Sequence, residues 1–286
     1  MTSDDPIDSL AAIEDPALRA AILQAADLLA QADRTVVLAG AGMSKESGIP
    51  TFRGDGGLWT VNGEPPLNQF ETFASDPKRW WERRLAEAST ADATSGFAAS
   101  IDAARPNAGH VALAELESMG VVSHLITQNI DDLHRRAGQV SITEIHGNRH
   151  WMRCIQCGAR WPKAEFIVDP ADLPPRCASP RCGGIVKSDT VMFGEPIPGE
   201  ALTRSAEETR RAGCFMTIGT SAVVYPAAQY PVDAVRRGVP LIEVNPEATP
   251  LSEFATVTVR ARSGQALPAI VQAVRARRDG SATAIW

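Results

Sequence analysis

Apolar residues follow two rhythms along the chain. Leu18, Ile22, Ala25, Leu28 and Leu29 recur at helical spacing, which predicts an amphipathic helix over about 8–31. Thr35 to Ala39 is a continuous apolar run, the pattern of a strand buried on both faces of a parallel sheet. It stops at Gly40-Ala41-Gly42, a tight turn, and Ser44 then opens a further helix. Gly40 and Gly42 let backbone approach a ligand with no Cβ in the way, and a helix N-terminus after such a turn points N–H groups at an anion. Lys45 occupies the slot of the usual third glycine, so a tight strand-to-helix turn without a ligand remains an alternative. Residues 55–63 are turn-rich and predict a mobile segment.

Residues 66–105 look helical but irregular, with Trp80 and Trp81 as packing residues and an Ala/Ser/Thr-rich stretch at 86–100. Asn107 to Gly120 predicts a helix with Val111, Leu113, Leu116 and Met119 inside. Strands are expected at Val121–Thr127 and Ile142–His146, and Asp189–Phe193 is expected to return to the main sheet. A helix over about 199–211, a strand at Cys214–Ile218, a helix over about 226–237 and a strand at Val239–Val244 follow. Val257–Val259 and Ala266–Arg277 complete the pattern as a last strand and helix.

This alternation implies an α/β fold, a parallel sheet covered by helices on both faces. Ligands bind such sheets outside the carboxyl ends of the strands. Those ends carry Gly40-Ala41-Gly42, Gln128-Asn129-Ile130-Asp131, Gly219-Thr220-Ser221 and Asn245, groups suited to phosphate, ribose hydroxyls or an amide.

A length of 286 residues allows one large domain or a main domain with a smaller insertion. The net charge of −6, with both signs interspersed, argues against broad electrostatic binding to nucleic acid or acidic membranes. No apolar run is long enough to span a bilayer, and Met1-Thr2-Ser3-Asp4-Asp5-Pro6 does not read as a signal peptide. A cytoplasmic protein is the expectation.

Four of the five cysteines are clustered: Cys154-x2-Cys157, then 19 intervening residues, then Cys177-x4-Cys182. Two thiolate pairs at this spacing complete a tetrahedral zinc site, closed and therefore structural. Free core cysteines, two disulfides, or a nucleic-acid-binding ribbon are the alternatives. Arg149, Arg153, Arg160 and Lys163 read as an ordinary solvated face, and Cys214 as a core residue.

Taken in order, these segments resemble the sirtuins of bacterial type, the NAD-dependent protein lysine deacylases. The matching residues are Gly40-Ala41-Gly42-x-Ser44-x-x-Ser47-Gly48-Ile49-Pro50-Thr51-Phe52-Arg53, then Thr127-Gln128-Asn129-Ile130-Asp131, then His146-Gly147. The two cysteine pairs, Phe193-Gly194-Glu195, Gly219-Thr220-Ser221 and Asn245 follow, so the likeness runs from about 32 to 270. The resemblance implies a single catalytic domain over 1–286. Its Rossmann-like part covers about 8–60, 105–148 and 189–286; a helical insertion covers about 61–104 and a zinc module about 149–188. NAD and the acyl-lysine of a protein or peptide meet in the cleft between them.

The chemistry implied is attack of the acyl oxygen on C1′ of the nicotinamide ribose, then attack by a ribose hydroxyl activated by a general base. Free lysine, nicotinamide and acylated ADP-ribose leave. A histidine suits that base. Of the five, His146 sits at a strand end beside Gly147; His110 and His134 read as packing or capping residues, His124 lies in a strand, and His150 adjoins the cysteines. By resemblance, Asn129 and Asp131 hold the nicotinamide end and its ribose, although Asp131 or Asp132 also reads as a helix cap. Gly40, Ala41, Gly42 and Ser44 hold pyrophosphate. Arg53 and Phe52 border the nicotinamide ribose, with Phe52 also blocking water and the wrong face, and Ile49, Thr51, Trp59 and Gln128 are further NAD-binding residues. Ser221 and Asn245 bind the adenosine ribose or phosphate, Ser263 matches the adenine-side loop, and Gly219 and Thr220 are further NAD-binding residues. Ile130, Val191, Phe193 and Gly194 line the acyl-lysine tunnel, where the peptide adds as a strand.

Sirtuins that prefer acidic acyl groups carry Tyr-x-x-Arg in the helical insertion; here Arg84 and Glu87 fall in those slots, or Trp81 and Arg84 with a shift of three. A glutamate there repels a carboxylate, so an acetyl or other neutral acyl is expected. The rival functions are a mono-ADP-ribosyltransferase or NADase on the same fold, and a non-enzymatic zinc-ribbon interaction module.

Overall fold

The computed structural model describes residues 9–54, 56–88 and 96–280. The acidic N-terminal hexapeptide, Asp55 and residues 89–95 of the Ala/Ser/Thr-rich stretch lie outside them.

The first strand, β1 (Thr35–Ala39), shows why the sheet is covered twice. Successive side chains of a strand point to opposite faces. Val37 and Ala39 enter one apolar cluster, and Val36 and Leu38 enter another. Parallel neighbours extend it: β2 (Val122–Thr127) and β3 (Ile142–Glu144) on one side. On the other lie β7 (Cys214–Ile218), β8 (Leu241–Val244) and β9 (Val257–Val259). The strand order is β3-β2-β1-β7-β8-β9, so the order reverses between β1 and β7. Three further strands, β4 (Trp151–Cys154), β5 (Arg160–Pro162) and β6 (Val186–Ser188), form a separate antiparallel sheet in the order β5-β4-β6.

Helices α1 (Pro16–Gln31), α6 (Ala108–Ser118) and α10 (Ser263–Arg278) cover one face of the large sheet. Helices α8 (Gly199–Arg211) and α9 (Gln229–Arg236) cover the other. Between them in sequence lie α2 (Leu58–Asn62), α3 (Gln69–Ser75), α4 (Pro77–Ala88), α5 (Gly96–Ala103) and the short α7 (Leu133–Arg136). The insertion touches both bodies. Trp81 of α4 is buried with the cysteine module and its Nε1 donates to the Val186 carbonyl at 3.1 Å, while Ile101 of α5 packs with Ile49 and Leu133. Among the described residues no helix is long and apolar enough to cross a membrane.

Several expectations are corrected. The first helix starts at Pro16, not near residue 8, because Asp15 accepts from the Ala17 amide and proline suits the first helical position. Val111 is 52% exposed, since the inward stripe of α6 runs through Gly109, Ala112, Leu113 and Leu116. Asp189–Phe193 is not a strand of the large sheet. Its amides go elsewhere: Asp189 to the Trp151 carbonyl, Val191 to the His146 carbonyl, and Met192 to the Glu195 carboxylate. Arg153 is not on a solvated face; it is buried between Asp189 at 2.8 Å and Glu195 at 2.7 Å. Cys214 is the core thiol expected, buried in β7, and burial pushes it up to about 12.

Three buried histidines make the fold acid-sensitive. Burial pushes His110 and His124 down to about 4 and holds His134 well below 6.5. Well above pH 6.5 these rings are neutral whether folded or not. As pH falls from 6.5 toward 4, the unfolded chain takes up protons that the folded chain refuses. Stability is therefore lost at about 1.4 kcal/mol per pH unit for each such ring. Urea unfolding at pH 7, 6 and 5 is expected to show this decline, and a midpoint constant over that range would refute it.

Candidate active site

The carboxyl ends of β1, β2, β7 and β8 open into one cavity of about 880 Å³, at the point where strand order reverses. All the residues proposed above for NAD, the base and the acyl-lysine lie on its wall.

The floor is made by two glycine turns pressed together. Gly42 N donates to the Gly219 carbonyl at 2.8 Å, and Gly40 N donates to the Ile218 carbonyl at 2.9 Å. A Cβ on Gly42 would lie 2.7 Å from the Gly219 Cα, and one on Gly40 would lie 2.7 Å from the Thr220 Cβ. The glycines are thus required by turn-on-turn packing, as well as lining the cavity. Ser44 does not open an α-helix: Ala41–Ser47 is a 3₁₀ segment, closed by Gly48 in the left-handed region.

Ser44 is fixed by β2's end. Its Oγ donates to Asp131 Oδ2 at 2.6 Å and accepts from Asn129 Nδ2 at 3.1 Å. Asn129 Nδ2 also reaches the Gly40 carbonyl at 3.0 Å. Asp131 Oδ1 accepts from the Leu133 amide at 3.0 Å, so Asp131 is a cavity residue that also holds the first amide of α7, whose N-cap position is Asp132. Burial raises its pKa, and the bonds from Ser44 and Leu133 oppose that rise. On the other side, Gln128 Nε2 donates to Thr220 Oγ1 at 2.9 Å and Asn245 Nδ2 to the Thr220 carbonyl at 3.0 Å. Four loops from four strands are therefore hydrogen-bonded into one surface. Ser263 Oγ lies 3.4 Å from Glu46, whose carboxylate also accepts from the Gly264 amide. The first turn of α10 is capped by Glu46, a contact with no signature in the sequence.

The outer wall is aromatic. Phe52 packs in tilted contact 4.8 Å from Trp59 and 5.4 Å from Phe97; Trp59 meets Phe193 edge-on at 5.6 Å. Arg53 lies over Trp59 at 4.4 Å and pairs with Glu64 at 2.8 Å. Ile49, Thr51 and Ile130 continue this wall, and Val191 and Gly194 extend it beside Phe193. Phe97 and Ile101, cavity residues on α5, were not singled out, because an irregular helix gives no motif to read. Thr190 and Met192 in the 190–195 turn, and Val224 and Tyr225 in the loop before α9, carry no motif of their own either. Arg84 and Glu87 do not line the cavity. They pair with each other at 3.8 Å on an exposed face of α4, with Arg84 over Trp80.

His146 is half-buried at the inner end, where its Nδ1 lies 3.1 Å from the Gln128 carbonyl. A carbonyl only accepts, so Nδ1 carries the hydrogen and Nε2 is left as the basic nitrogen. Burial lowers the pKa, favouring the neutral ring, while the Gln128 bond partly opposes this. His110 lies elsewhere, closing a capping box with Asn107, and His134 packs against it at 4.8 Å.

The four sulfurs of Cys154, Cys157, Cys177 and Cys182 lie within 4.8 Å of one another. Cys154–Cys182 and Cys157–Cys177 are 3.6 Å apart, far beyond a disulfide. A zinc ion bonded tetrahedrally at about 2.3 Å holds sulfurs about 3.8 Å apart, so this donor set fits Zn²⁺ and leaves no open position.

A family model described as the Sir2 family matches residues 40–226. An NAD-dependent protein deacylase 2 of Pyrobaculum aerophilum is 41% identical over 260 residues, covering 89% of this chain and 96% of the relative. A Sir2 enzyme solved in work on the mechanism and regulation of these enzymes superposes with a TM-score of 0.72 at 39% identity, covering 91% of this chain and 99% of that one. A Sir2 structure holding a p53 peptide and NAD⁺ matches with a TM-score of 0.65 at 33% identity, covering 90% and 97%. The chain belongs to the Sir2 family.

Proposed function

We propose that this protein is an NAD-dependent protein lysine deacylase that moves the acyl group to ADP-ribose and releases nicotinamide. The observation that carries the reading is the placement of His146. A neutral imidazole, fixed by the Gln128 carbonyl, ends a cavity that also holds the glycine floor and the aromatic wall. The likeness to NAD-dependent deacylases and to a peptide–NAD⁺ complex supports it.

NAD supplies an electrophilic ribose carbon and a nicotinamide leaving group. The chain's own part is to place, dry and deprotonate. Gly40, Ala41, Gly42 and Ser44 face the pyrophosphate, and Gly219, Thr220, Ser221, Asn245 and Ser263 face the adenosine. Asn129 and Asp131 hold the nicotinamide end and its ribose; Ile49, Thr51, Trp59, Gln128 and Arg53 border it. Phe52 excludes water. Ile130, Val191, Phe193 and Gly194 hold the acyl-lysine of the protein or peptide. His146 Nε2 takes the proton from a ribose hydroxyl so that its oxygen attacks the acyl-bearing carbon. Cys154, Cys157, Cys177 and Cys182 hold one structural Zn²⁺. The proposed division is a Rossmann-like part at about 8–60, 105–148 and 189–286, a helical insertion at about 61–104 and a zinc module at about 149–188. A thiolate zinc site suits a reducing compartment, and we place the protein in the cytoplasm.

Mass balance tests the reading. Acetyl-peptide with NAD is expected to give deacetylated peptide, nicotinamide and acetyl-ADP-ribose in equal amounts. ADP-ribosylated peptide, or nicotinamide without deacetylation, would establish the rival transferase or NADase. NAD alone is expected to raise stability by about 2.7 kcal/mol at 100 times its dissociation constant. No shift in melting temperature would leave only the interaction module.

We also propose a neutral acyl substrate. Glu87 lies outside the cavity and repels nothing in it, and Arg84, the cation that would pair with an acidic acyl group in that slot, is outside it too. The wall here is Phe52, Trp59, Phe97 and Phe193. Acetyl-peptide turnover is expected to exceed succinyl-peptide turnover; the reverse order would overturn the assignment.

A further inference from the structure

The turn at 190–195 presents Val191, Phe193 and Gly194 to the cavity, yet no sheet holds it. Besides the bond from the Phe70 amide to the Phe193 carbonyl at 3.0 Å, a buried ammonium holds it. Lys187, on β6, has a fully buried side chain. Its three donor positions are matched by three acceptors, all on the following segment: the Ser188 carbonyl at 3.0 Å, the Thr190 carbonyl at 2.8 Å and Glu195 Oε2 at 2.8 Å. Glu195 in turn closes the turn on itself, accepting from the Met192 amide at 2.9 Å while its own amide donates to the Met192 carbonyl at 3.0 Å. Arg153 Nη2 satisfies Glu195 Oε1, and its Nε reaches Asp189 Oδ1. Asp189 Oδ2 accepts from the Asn148 amide at 3.1 Å, two residues beyond His146, and Val191 N donates to the His146 carbonyl at 2.9 Å.

We infer that Lys187 and Glu195 are positioning residues, a buried ion-pair pin that fixes the 190–195 turn and with it the acyl-lysine wall. The part of this inference that concerns acyl-lysine rests on the deacylase reading above. Neither residue touches the reacting atoms; both act through the backbone they hold. Removing one member of a buried pair leaves the other charge uncompensated, which destabilises strongly. A charge-balanced change removes the pin without that penalty.

The test therefore uses two variants of the zinc-loaded protein, Lys187→Met and the double change Lys187→Met with Glu195→Gln. Hydrogen exchange at the 191–195 amides reads the pin directly and needs no substrate. Faster exchange there, with zinc content unchanged, is expected in both variants. Steady-state kinetics read the consequence. The acetyl-peptide KM is expected to rise roughly tenfold or more, with the NAD KM within about twofold of the parent and kcat changing far less than the peptide KM. Exchange unchanged in the double variant overturns the pin. Faster exchange with an unchanged peptide KM, or equal rises in both KM values, overturns positioning of the acyl-lysine wall. A parent enzyme that deacylates nothing sinks the functional reading instead, and exchange still decides the pin.

Discussion

Replacing His146 with alanine lowers deacylation turnover by about 10²–10⁴-fold, while NAD still raises the melting temperature. The ring's Nδ1 is held on the Gln128 carbonyl, so alanine removes a prepared base and disturbs no other side chain that the structure ties to it. The pH profile carries a second sign. Burial lowers this histidine's pKa, so the basic form dominates at neutral pH. The kcat/KM of the parent is expected to be flat from about pH 6.5 upward and to fall below it, as protonation removes the base. The alanine variant loses that limb along with most of its rate. An enzyme that only transferred ADP-ribose would need no base to resolve an acylated intermediate. Alanine at 146 with turnover within about threefold of the parent would therefore sink the assigned role.

Much of the fold was legible because it rests on local periodicity. The unbroken apolar run of β1 announced burial on both faces, and Val36 and Leu38 do face away from Val37 and Ala39. Strand ends were legible too, since small and polar residues stop each run abruptly. What could not be read is set by partners distant in sequence. Arg153 looks solvated until Asp189 and Glu195 arrive some 40 residues later. Gly42 shows no sign in the sequence of the Gly219 backbone that packs against it. Ser44 reads as a helix start, and only the fold shows its hydroxyl joined to Asn129 and Asp131. Asp189–Phe193 has a strand's composition, but Glu195 and Lys187 bend it into a turn. In each case one-dimensional pattern gave the residue's character, and a long-range contact decided its use.

Removing the metal is expected to separate the two halves of the site. The cysteines sit on the ends and turns of a three-stranded sheet whose apolar cluster is small: Met152, Val186 and Trp81 with a rim of partly buried neighbours. So few buried side chains do not by themselves hold a sheet of this size, whereas structural zinc contributes about 10–16 kcal/mol in comparable peptides. Loss of zinc by chelation, or a Cys177→Ser change, should thus unfold β4–β6. The effect does not stop there, because Lys187 on β6 holds the 190–195 turn and Arg153 on β4 holds Glu195. Peptide deacylation should fall by at least about 100-fold, the lower end of what loss of a positioned site costs. The large sheet has its own core of α1, α6 and α10 against β1, β2 and β7, and shares none of these ligands. The thermal shift produced by NAD should therefore persist in the metal-free protein while peptide turnover disappears. Turnover unchanged after the metal is shown to be gone would refute the structural role, and loss of the NAD shift as well would refute the independence of the two halves.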